Sequence, residues 1–270
     1  METIKKISVL MLTAVLMLTT ASCGKNDSEQ FRVCMECDFA PYNWTQESEN
    51  EFTYPIEGGG FADGYDVQIS KIIADKMGKE LVIVKTDWDG LTMSVESGNT
   101  DAIIACMSPT EERKLTLDFT DSYCVYQYGM MVRRDSKYAN AKCIDDLAGG
   151  TFSGQLNTVL YDLCDQIPDV NKAQATDSVP TLVVQANSGA IDGFVCESFS
   201  GFLIEESNPD LVYIGFEDGK GFDCDLGDRS VAIGIKKGSP LLSELNDILA
   251  EISDEERDEL MDGAMHRQPK

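Results

Sequence analysis

The first strong pattern in the chain is a set of apolar residues that recur at helical spacing after Gly64. They are Ile69, Ile72, Ile73 and Met77. Residues three and four positions apart share one face of an α-helix, so this spacing predicts an amphipathic helix with one buried side. Gly78 follows the last apolar position, and glycine commonly ends a helix because it adopts the left-handed conformation without a Cβ clash. We therefore expect the helix to stop at this glycine.

Strands and helices alternate after this helix. The run from Leu81 to Val84 is apolar and rich in β-branched residues, which is typical of a strand. Leu91 and Val95 then mark one face of a second helix, which Gly98 ends. A second buried strand is expected from Ala102 to Ala105. Alternation of this kind predicts an α/β fold.

The same order of a helix end, a tight turn and a buried strand occurs twice in the chain. The segment that begins at Ser97 reads SGNTDAIIAC, and the segment that begins at Ser188 reads SGAIDGFVCE. A solenoid needs at least three repeats, so two similar units predict two lobes that are built alike.

Two extended segments are expected to connect these lobes. The aromatic stretch from Thr116 to Arg134 would lead from the first lobe to the second, and the stretch from Ser230 to Lys237 would lead back. The apolar face of a final helix would then pack on the first lobe; its residues are Leu241, Leu245, Ile248, Leu249 and Ile252. The expected layout is lobe 1 over residues 31–126 and 228–270, and lobe 2 over residues 127–227.

Residues 1–22 are predicted to form an export signal. Lys5 and Lys6 precede an apolar stretch from Ile7 to Leu18, which is too short to span about 30 Å of hydrocarbon and matches the apolar part of a secretory signal. Small residues then lead to Cys23, an arrangement that resembles a bacterial lipobox. We expect an extracytoplasmic protein that Cys23 anchors to the cell membrane by lipid, with a short tether up to residue 30; an ordinary signal peptidase site is the alternative.

Charge excludes one class of function. The chain has 47 acidic and 22 basic residues and a formal net charge of −25. Such a chain repels nucleic acid and offers no basic patch for phosphate contacts. Nucleic acid is therefore not an expected partner.

The cysteines do not predict a metal site. Eight of them follow Cys23, but none of their spacings is that of a zinc site, and His266 is the one histidine. Cys34 and Cys37 have the spacing of a redox pair, yet they lie in the first predicted strand and not at a helix N-terminus, which favours packed structural thiols. No metal and no cofactor are expected.

Candidate chemistry begins where the strand from Ala102 to Ala105 ends. Ser108 and Glu111 have the spacing of a capping box, and Pro109 suits the first position of a helix, so a helix is predicted to start here. A helix N-terminus attracts anions, and the planar guanidinium of Arg113 suits bidentate binding of a carboxylate. Arg113 is therefore a candidate anion-binding residue.

The spacing leaves a second interpretation of this arginine open. It could pair with Glu111, Glu112 or Asp118 on a solvated surface. Exposed ion pairs of that kind contribute little to stability, and the arginine would then have no role in binding.

A second candidate group lies in the other predicted lobe. Gln155 ends a short strand, and Thr158 is expected to cap the helix that follows. Glu197 ends the strand of the second repeat, in the place that Cys106 takes in the first. Ligands bind at the carboxyl ends of the strands in open parallel sheets. A carboxylate in that place would pair with a bound ammonium group.

Five segments, spread over nearly the whole predicted mature chain, carry a family resemblance. They are GYDVQI from Gly64, WDGL from Trp88, SGNTDAIIACMSPTEER from Ser97, DFTDSY from Asp118 and SGAIDGFVCE from Ser188. In this order they resemble the bacterial extracellular solute-binding proteins of family 3, the polar amino-acid receptors of ABC transporters. Gln68, Cys106 and Asn157 depart from the family pattern, which has an acid at the first position and commonly glycine at the other two.

The resemblance implies a fold and a function. The fold is a periplasmic-binding-protein-like clamshell in which a two-strand hinge joins two α/β lobes. The function is that of a receptor, not an enzyme, that closes around an L-amino acid and delivers it to an ABC transporter permease. Such a receptor would be a monomer with a small-molecule ligand.

The resemblance also implies roles for eight residues. The α-carboxylate would bind Arg113, assisted by Ser108 and Thr158, and the α-ammonium group would bind Glu197. The residues expected around the ligand side chain are Glu36 at its far end, Phe39 and Trp88 as the two walls, and Gln155 as a neighbour.

Two other functions share this set of residues. One is an enzyme that resembles cyclohexadienyl or arogenate dehydratases, in which Glu36 or Glu197 would act as a general acid. The other is a sensor module that reports an amino acid without transporting it. Glu36 and Asp38 favour a polar or cationic ligand side chain, and polar uncharged ligands stay open.

Overall fold

The computed structural model describes residues 29–217, 219–225 and 229–268. The predicted export signal and Cys23 lie outside the described residues. Fourteen strands are present in the described part of the chain: β1 (Gln30–Met35), β2 (Asp38–Phe39), β3 (Asn43–Gln46), β4 (Tyr54–Pro55), β5 (Phe61–Asp63), β6 (Glu80–Lys85), β7 (Ala102–Ile103), β8 (Leu117–Val125), β9 (Tyr128–Arg133), β10 (Thr151–Ser153), β11 (Asn171–Lys172), β12 (Gly193–Glu197), β13 (Leu211–Gly215) and β14 (Ser230–Lys236).

The α-helices of the described residues agree with the periodicity of the sequence. They are α1 (Tyr65–Met77), α2 (Leu91–Glu96), α3 (Val159–Leu163), α4 (Val179–Ser188), α5 (Ser198–Ser207), α6 (Leu241–Ala250) and α7 (Asp254–Arg267). Gly78 ends α1 in the left-handed conformation with φ of 65°, as its sequence position predicts. Gly64 precedes α1 with φ of 132°, and a Cβ there would lie 2.2 Å from the carbonyl oxygen of Tyr42, so only glycine fits.

Two five-stranded sheets form the centres of two lobes. The first sheet has the order β6-β1-β7-β14-β8, with β1 and β7 parallel and β14 antiparallel to both of its neighbours. The second has the order β11-β10-β12-β9-β13, with β10 and β12 parallel and β9 antiparallel to β12 and β13. This is the two-lobe α/β architecture that the repeat predicts.

Helices cover each sheet separately. Helices α1, α2 and α6 pack on strands of the first sheet, and α3, α4 and α5 pack on strands of the second. The apolar face of α6 contacts β8 and α1, which confirms that this C-terminal helix returns to the first sheet. A small antiparallel sheet, β2-β3-β5-β4, contacts β6 and α1.

The chain crosses between the sheets twice. Tyr126 and Gln127 connect β8 of the first sheet to β9 of the second, and the chain returns to the first sheet between the end of β13 at Gly215 and the start of β14 at Ser230. The two crossings are joined where the backbone N–H of Tyr126 donates to the carbonyl oxygen of Arg229 at 3.0 Å. They form the two-strand hinge.

The predicted helix at Pro109 is wrong. Irregular chain follows β7, and the first helical turn is a short 3-10 segment, Arg113–Leu115. Tertiary contacts take the groups that a capping box would use: the hydroxyl of Ser108 bonds to the hydroxyl of Tyr126 at 3.0 Å, and the guanidinium of Arg113 donates to the carbonyl oxygen of Ser108 at 2.9 Å. The strand predicted over Ala102 to Ala105 is also shorter, since ladder pairing stops at Ile103.

Helices long and apolar enough to cross a bilayer are absent from the part of the chain that the structure describes.

Candidate functional site

A small cavity of about 30 Å³ lies between the two sheets, at the carboxyl ends of β7 and β12. Seven of the eight residues that the sequence singles out line it; they are Phe39, Trp88, Ser108, Arg113, Gln155, Thr158 and Glu197. The remaining walls come from Cys106, Tyr126, Tyr128, Val159 and Leu160. Residues that are far apart in sequence therefore meet in one place between the lobes.

Arg113 lines this cavity, and no acidic side chain of the described residues forms an ion pair with it. Its Nη1 donates to the carbonyl oxygen of Ser108, and its Nη2 donates to the carbonyl oxygen of Asn157 in the second lobe, both at 2.9 Å. A guanidinium has five N–H groups, so three are left after these bonds. Partial burial lowers the pKa of Arg113, but an arginine stays charged at neutral pH.

The alternative of a surface ion pair does not hold for this arginine. Glu111 pairs with Lys114 at 2.8 Å, and Asp118 pairs with Lys237 at 3.0 Å. Among the described residues no carboxylate forms an ion pair with Arg113. Its positive charge is therefore available to a ligand.

Glu197 lies in the second lobe and is 2 % exposed. Its carboxylate caps α5 by accepting hydrogen bonds from the backbone N–H groups of Phe199 and Ser200, both at 2.7 Å. The hydroxyl of Tyr42 in the first lobe donates to the same carboxylate at 3.1 Å. Burial raises the pKa of Glu197, and these neutral donors oppose that effect. No cationic side chain of the described chain pairs with it.

Glu36 lies beside the cavity and bonds to one of its lining residues. The amide Nε2 of Gln155 donates to Glu36 at 3.1 Å and to the carbonyl oxygen of Asp177 at 3.0 Å. Burial raises the pKa of Glu36 to about 7, and the negative charges of Asp38, Asp87 and Asp89 add to the effect. This side of the cleft therefore has a negative potential, which Lys85 offsets in part through its effect on Asp38.

Two aromatic rings, Phe39 and Trp88, line the cavity. Phe39 stacks on Tyr42 with ring centroids 5.3 Å apart. Trp88 lies against Arg113, whose Cζ is 5.2 Å from the centre of the indole ring, and its Nε1 donates to the carbonyl oxygen of Asn157 at 3.3 Å. Both rings are partly exposed, so neither is an ordinary core residue.

Sequence reasoning did not identify two tyrosines of the site. Tyr126 and Tyr128 line the cavity from the first hinge segment, and their hydroxyls lie 3.5 Å apart. The hydroxyl of Tyr126 also bonds to that of Ser108. The aromatic density between Thr116 and Arg134 was the available signal, but a strand pattern does not reveal which face lines a cleft.

Thr158 has a different role from the predicted one. It occupies the N-cap position of α3, but its hydroxyl donates to the carbonyl oxygen of Gln155 at 2.7 Å and does not bond to the N–H groups of the helix. The threonine therefore fixes the turn that follows β10. Its side chain still lines the cavity.

The two departures from glycine keep glycine-like backbone. Cys106 has φ of 50° and Asn157 has φ of 57°, in the left-handed region that favours glycine. Asparagine tolerates this region better than most residues. Its amide Nδ2 donates across the cleft to Asp89 at 2.7 Å.

Metal and redox chemistry find little support in the described residues. They contain no group of three or more side chains that could hold a metal ion, and their eight cysteines are free thiols. Burial raises the pKa of Cys34 to about 11 and that of Cys37 to about 12. A redox cysteine needs the opposite shift.

Comparisons with known proteins agree with the geometry. The arginine-binding extracellular protein ArtP of Bacillus subtilis is 25% identical over 258 residues, which cover 93% of each chain. A solved substrate-binding protein of an amino acid ABC transporter superposes with a TM-score of 0.72 at 25% identity and covers 88% of this chain and 100% of its own. The ancestral amino acid-binding protein AncCDT-1, described as a precursor of cyclohexadienyl dehydratase, has a TM-score of 0.69 at 23% identity, over 88% of this chain and 96% of its own.

A family model matches residues 31–264, nearly the whole described chain. The match confirms the resemblance that the five sequence segments carry. With its two α/β lobes and the cavity between them, the chain belongs to the bacterial extracellular solute-binding proteins, family 3.

Proposed function

We propose that this protein is an extracytoplasmic receptor that binds the zwitterion of an L-amino acid between its lobes and delivers it to an ABC transporter permease. One observation carries the proposal. Arg113 and Glu197 line the same cavity, and in the described chain neither has a side-chain partner of opposite charge. A buried carboxylate is costly without a cation, and an α-amino acid brings both missing charges on one carbon atom.

The ligand atoms are assigned by charge. The α-carboxylate accepts from the free N–H groups of Arg113 and from the hydroxyl of Ser108, and the α-ammonium group donates to Glu197. The hydroxyl of Thr158, which donates to the carbonyl oxygen of Gln155 in the structure, has to turn toward the cavity before it donates to the ligand carboxylate. Phe39 and Trp88 enclose the side chain of the ligand. Charge-assisted hydrogen bonds contribute roughly 1.5 to 3 kcal/mol each, so a few of them account for micromolar affinity, which needs about 8 kcal/mol.

A ligand with a cationic side chain best matches the acidic wall at Glu36. Glu36 is buried, its neighbours Asp38, Asp87 and Asp89 are all acidic, and a bound cation would offset their mutual repulsion. ArtP, which covers the same span of sequence, is an arginine-binding protein. L-Arginine is therefore the first ligand to test, and polar uncharged amino acids are the alternative.

The same cavity does not favour catalysis. Its described lining pairs no nucleophile with a base, and the carboxylate of Glu197 already caps α5 by accepting from the N–H groups of Phe199 and Ser200. The similarity to AncCDT-1 makes a dehydratase the second candidate. Incubation with prephenate or arogenate distinguishes the two, because an enzyme releases an aromatic product and a receptor leaves the compounds unchanged.

Closure is proposed as a rotation about the hinge. The proposed lobes are residues 31–126 with 228–270, and residues 127–227, so that the divisions fall between β8 and β9 and between β13 and β14. The ligand binds one lobe through Arg113 before Glu197 and Thr158 of the other lobe close over it, and the closed form is what the permease recognises. Addition of L-arginine is expected to reduce the radius of gyration in solution scattering, and an unchanged radius would contradict this motion.

Anchoring and assembly are further parts of the proposal. Cys23 is proposed as the lipidated residue that attaches a monomer to the cell membrane, without nucleic acid as a partner. Mass spectrometry of the protein from membranes should find a diacylated peptide that begins at Cys23. A peptide cut elsewhere and without lipid would support ordinary signal peptidase cleavage.

The decisive experiment tests the two charges separately. A thermal-shift screen against the common amino acids comes first, since a ligand at 100 times its dissociation constant stabilises by about 2.7 kcal/mol. Calorimetry then compares L-arginine with L-argininamide, which lacks the carboxylate, and with Nα-acetyl-L-arginine, which lacks the ammonium group. We expect both analogues to bind at least about 100-fold more weakly. Equal affinity for either analogue would refute the zwitterion assignment.

A further inference from the structure

Several hydrogen bonds cross the cleft between the lobes, and three of them end on Asn157. Its carbonyl oxygen accepts from Arg113 and from Trp88, and its side-chain amide donates to Asp89 at 2.7 Å. The other crossings lie at the opposite end, between Tyr42 and Glu197 and between Ser200 and the carbonyl oxygen of Ala40, and at Glu36 with Gln155. One residue of the second lobe thus connects to three residues of the first.

Neither side chain of the bond between Asn157 and Asp89 lines the enclosed cavity, whereas Arg113, Trp88, Gln155 and Glu197 all do. The bond from Ser200 to the carbonyl oxygen of Ala40 also lies outside the lining. Asn157 and Asp89 instead line an adjoining groove of about 690 Å³, whose lining also includes Arg113, Trp88 and Thr158. Their bond therefore joins the two lobes beside the enclosed cavity and not within its lining.

The backbone explains why an asparagine can make this bond. Residue 157 has φ of 57°, a conformation that glycine adopts most easily and asparagine tolerates. A glycine would keep the carbonyl oxygen that accepts from Arg113 and Trp88. The amide that reaches Asp89 is what the asparagine adds, and its acceptor is a carboxylate, which makes a stronger bond than a neutral acceptor.

We propose that the hydrogen bond from the Asn157 amide to Asp89 is a latch that sets how long the closed form holds its ligand. This inference rests on the proposed receptor function, because it assumes that closure encloses an amino acid. A bond that exists only when the lobes are together stabilises the closed form and slows opening. The latch therefore acts on the dissociation rate and leaves the association rate nearly unchanged.

The first test removes the amide. Both partners are exposed, so we expect Asn157→Gly to raise the dissociation rate of L-arginine by about three- to tenfold in stopped-flow measurements. Asp89→Ala should have a similar effect, and the double variant should be no faster than either single one. Additive effects in this cycle would contradict a direct bond.

The second test exchanges the partners. Asn157→Asp places two carboxylates together and should raise the dissociation rate by tenfold or more. Combining it with Asp89→Asn restores an amide facing a carboxylate and should return the rate to within about threefold of the wild type. Asp75→Asn, at an exposed position of α1, is the control for the loss of one negative charge. A merely structural role for Asn157 predicts no rescue, and absence of rescue would overturn the latch.

The radius of gyration of the ligand-free variants gives a readout that does not depend on the ligand. We expect Asn157→Asp to be more expanded than the exchanged pair. If the wild type binds no amino acid at all, the proposed function fails, and this comparison still decides the latch. Equal radii in that case would overturn it.

Discussion

SGNTDAIIAC in the first lobe and SGAIDGFVCE in the second each turn at a left-handed glycine and then enter a buried strand. The glycines are Gly98, with φ of 78°, and Gly189, with φ of 75°. The strands are β7 and β12. In the first sheet β7 pairs in parallel with β1, and in the second sheet β12 pairs in parallel with β10. Up to this point the two regions are built alike.

Beyond the strands the two regions differ. Glu197 ends β12 and is at once the N-cap of α5, so its carboxylate is oriented by the first N–H groups of its own helix. Cys106 follows β7 in the left-handed conformation, and the segment up to Arg113 contains no helix. It is held by contacts to other elements, such as Ser108 with Tyr126. The proposed ammonium site at Glu197 is therefore fixed locally, whereas the proposed carboxylate site at Arg113 depends on tertiary contacts.

The largest expected effect is that of Arg113→Ala. It removes the positive end of the cavity and at least two charge-assisted hydrogen bonds, so affinity for L-arginine should fall by at least about 100-fold. The free energy of unfolding should change by less than about 1 kcal/mol, because the side chain caps no helix. Calorimetry and urea unfolding measure the two quantities.

The control is Arg133→Ala, which removes an arginine whose partner is the exposed Asp135. It should leave affinity unchanged. Arg113→Ala with wild-type affinity for every amino acid would remove the basis of the receptor proposal.

Glu197 should contribute to both binding and stability, and two substitutions of it separate these contributions. Glu197→Gln lacks the charge that pairs with the ligand ammonium, and we expect about 10- to 100-fold weaker binding. Because burial disfavours the charged form, the ligand-free variant should be at least as stable as the wild type. Glu197→Ala also loses the helix cap and should cost about 1 kcal/mol of stability. If the alanine and glutamine variants unfold at the same urea concentration, the capping role is wrong.

The raised pKa of Glu36 predicts a pH dependence of binding. With a pKa of about 7 in the folded protein, the carboxyl is mostly protonated at about pH 6 and mostly ionised at about pH 8. A cationic ligand requires the ionised form, so L-arginine should bind about tenfold more tightly at the higher pH and release a proton when it binds near neutrality.

Calorimetry in buffers of different ionisation enthalpy measures that proton, and Glu36→Gln should abolish the difference in affinity between the two pH values.

The carboxyl group of Glu36 affects the stability of the ligand-free protein with the opposite dependence on pH. The folded state retains a proton that the unfolded state loses, so the contribution of Glu36 to the free energy of unfolding decreases as pH rises from about 4.5 to about 7. A tighter complex at low pH would contradict a cationic ligand side chain near Glu36.

The smallest effects should come from the two turns at Gly98 and Gly189. Alanine at Gly98 or Gly189 is strained by the left-handed conformation and should cost about 1 to 2 kcal/mol at each position. A Cβ at Gly98 meets open space, whereas one at Gly189 lies 2.5 Å from Nη1 of Arg133, a flexible side chain that can move. Urea unfolding should therefore give similar losses. A large excess at Gly189 would mean that the second turn is the more tightly packed one.

Much of the fold follows from the sequence. The helix after Gly64, the alternating strands and the return of the C-terminal helix to the first sheet depend on local periodicity and on glycine positions, which carry their information within a few residues. The helix predicted from the capping box at Ser108 was wrong for the converse reason. Its hydroxyl is equally able to bond to a tyrosine 18 positions away, and the spacing of a motif does not report that competitor.

The family was likewise readable from motifs, and seven of the eight site residues that the resemblance implied are among the twelve that line the cavity. The sequence by itself determined which residue types stand at the ends of the strands, because strand ends and turns are local features. Only the tertiary structure decided that Arg113 and Glu197 have no partner of opposite charge among the described residues and that Asn157 reaches Asp89. Both depend on which lobe surfaces face each other, and that is a property of the hinge and not of any single segment.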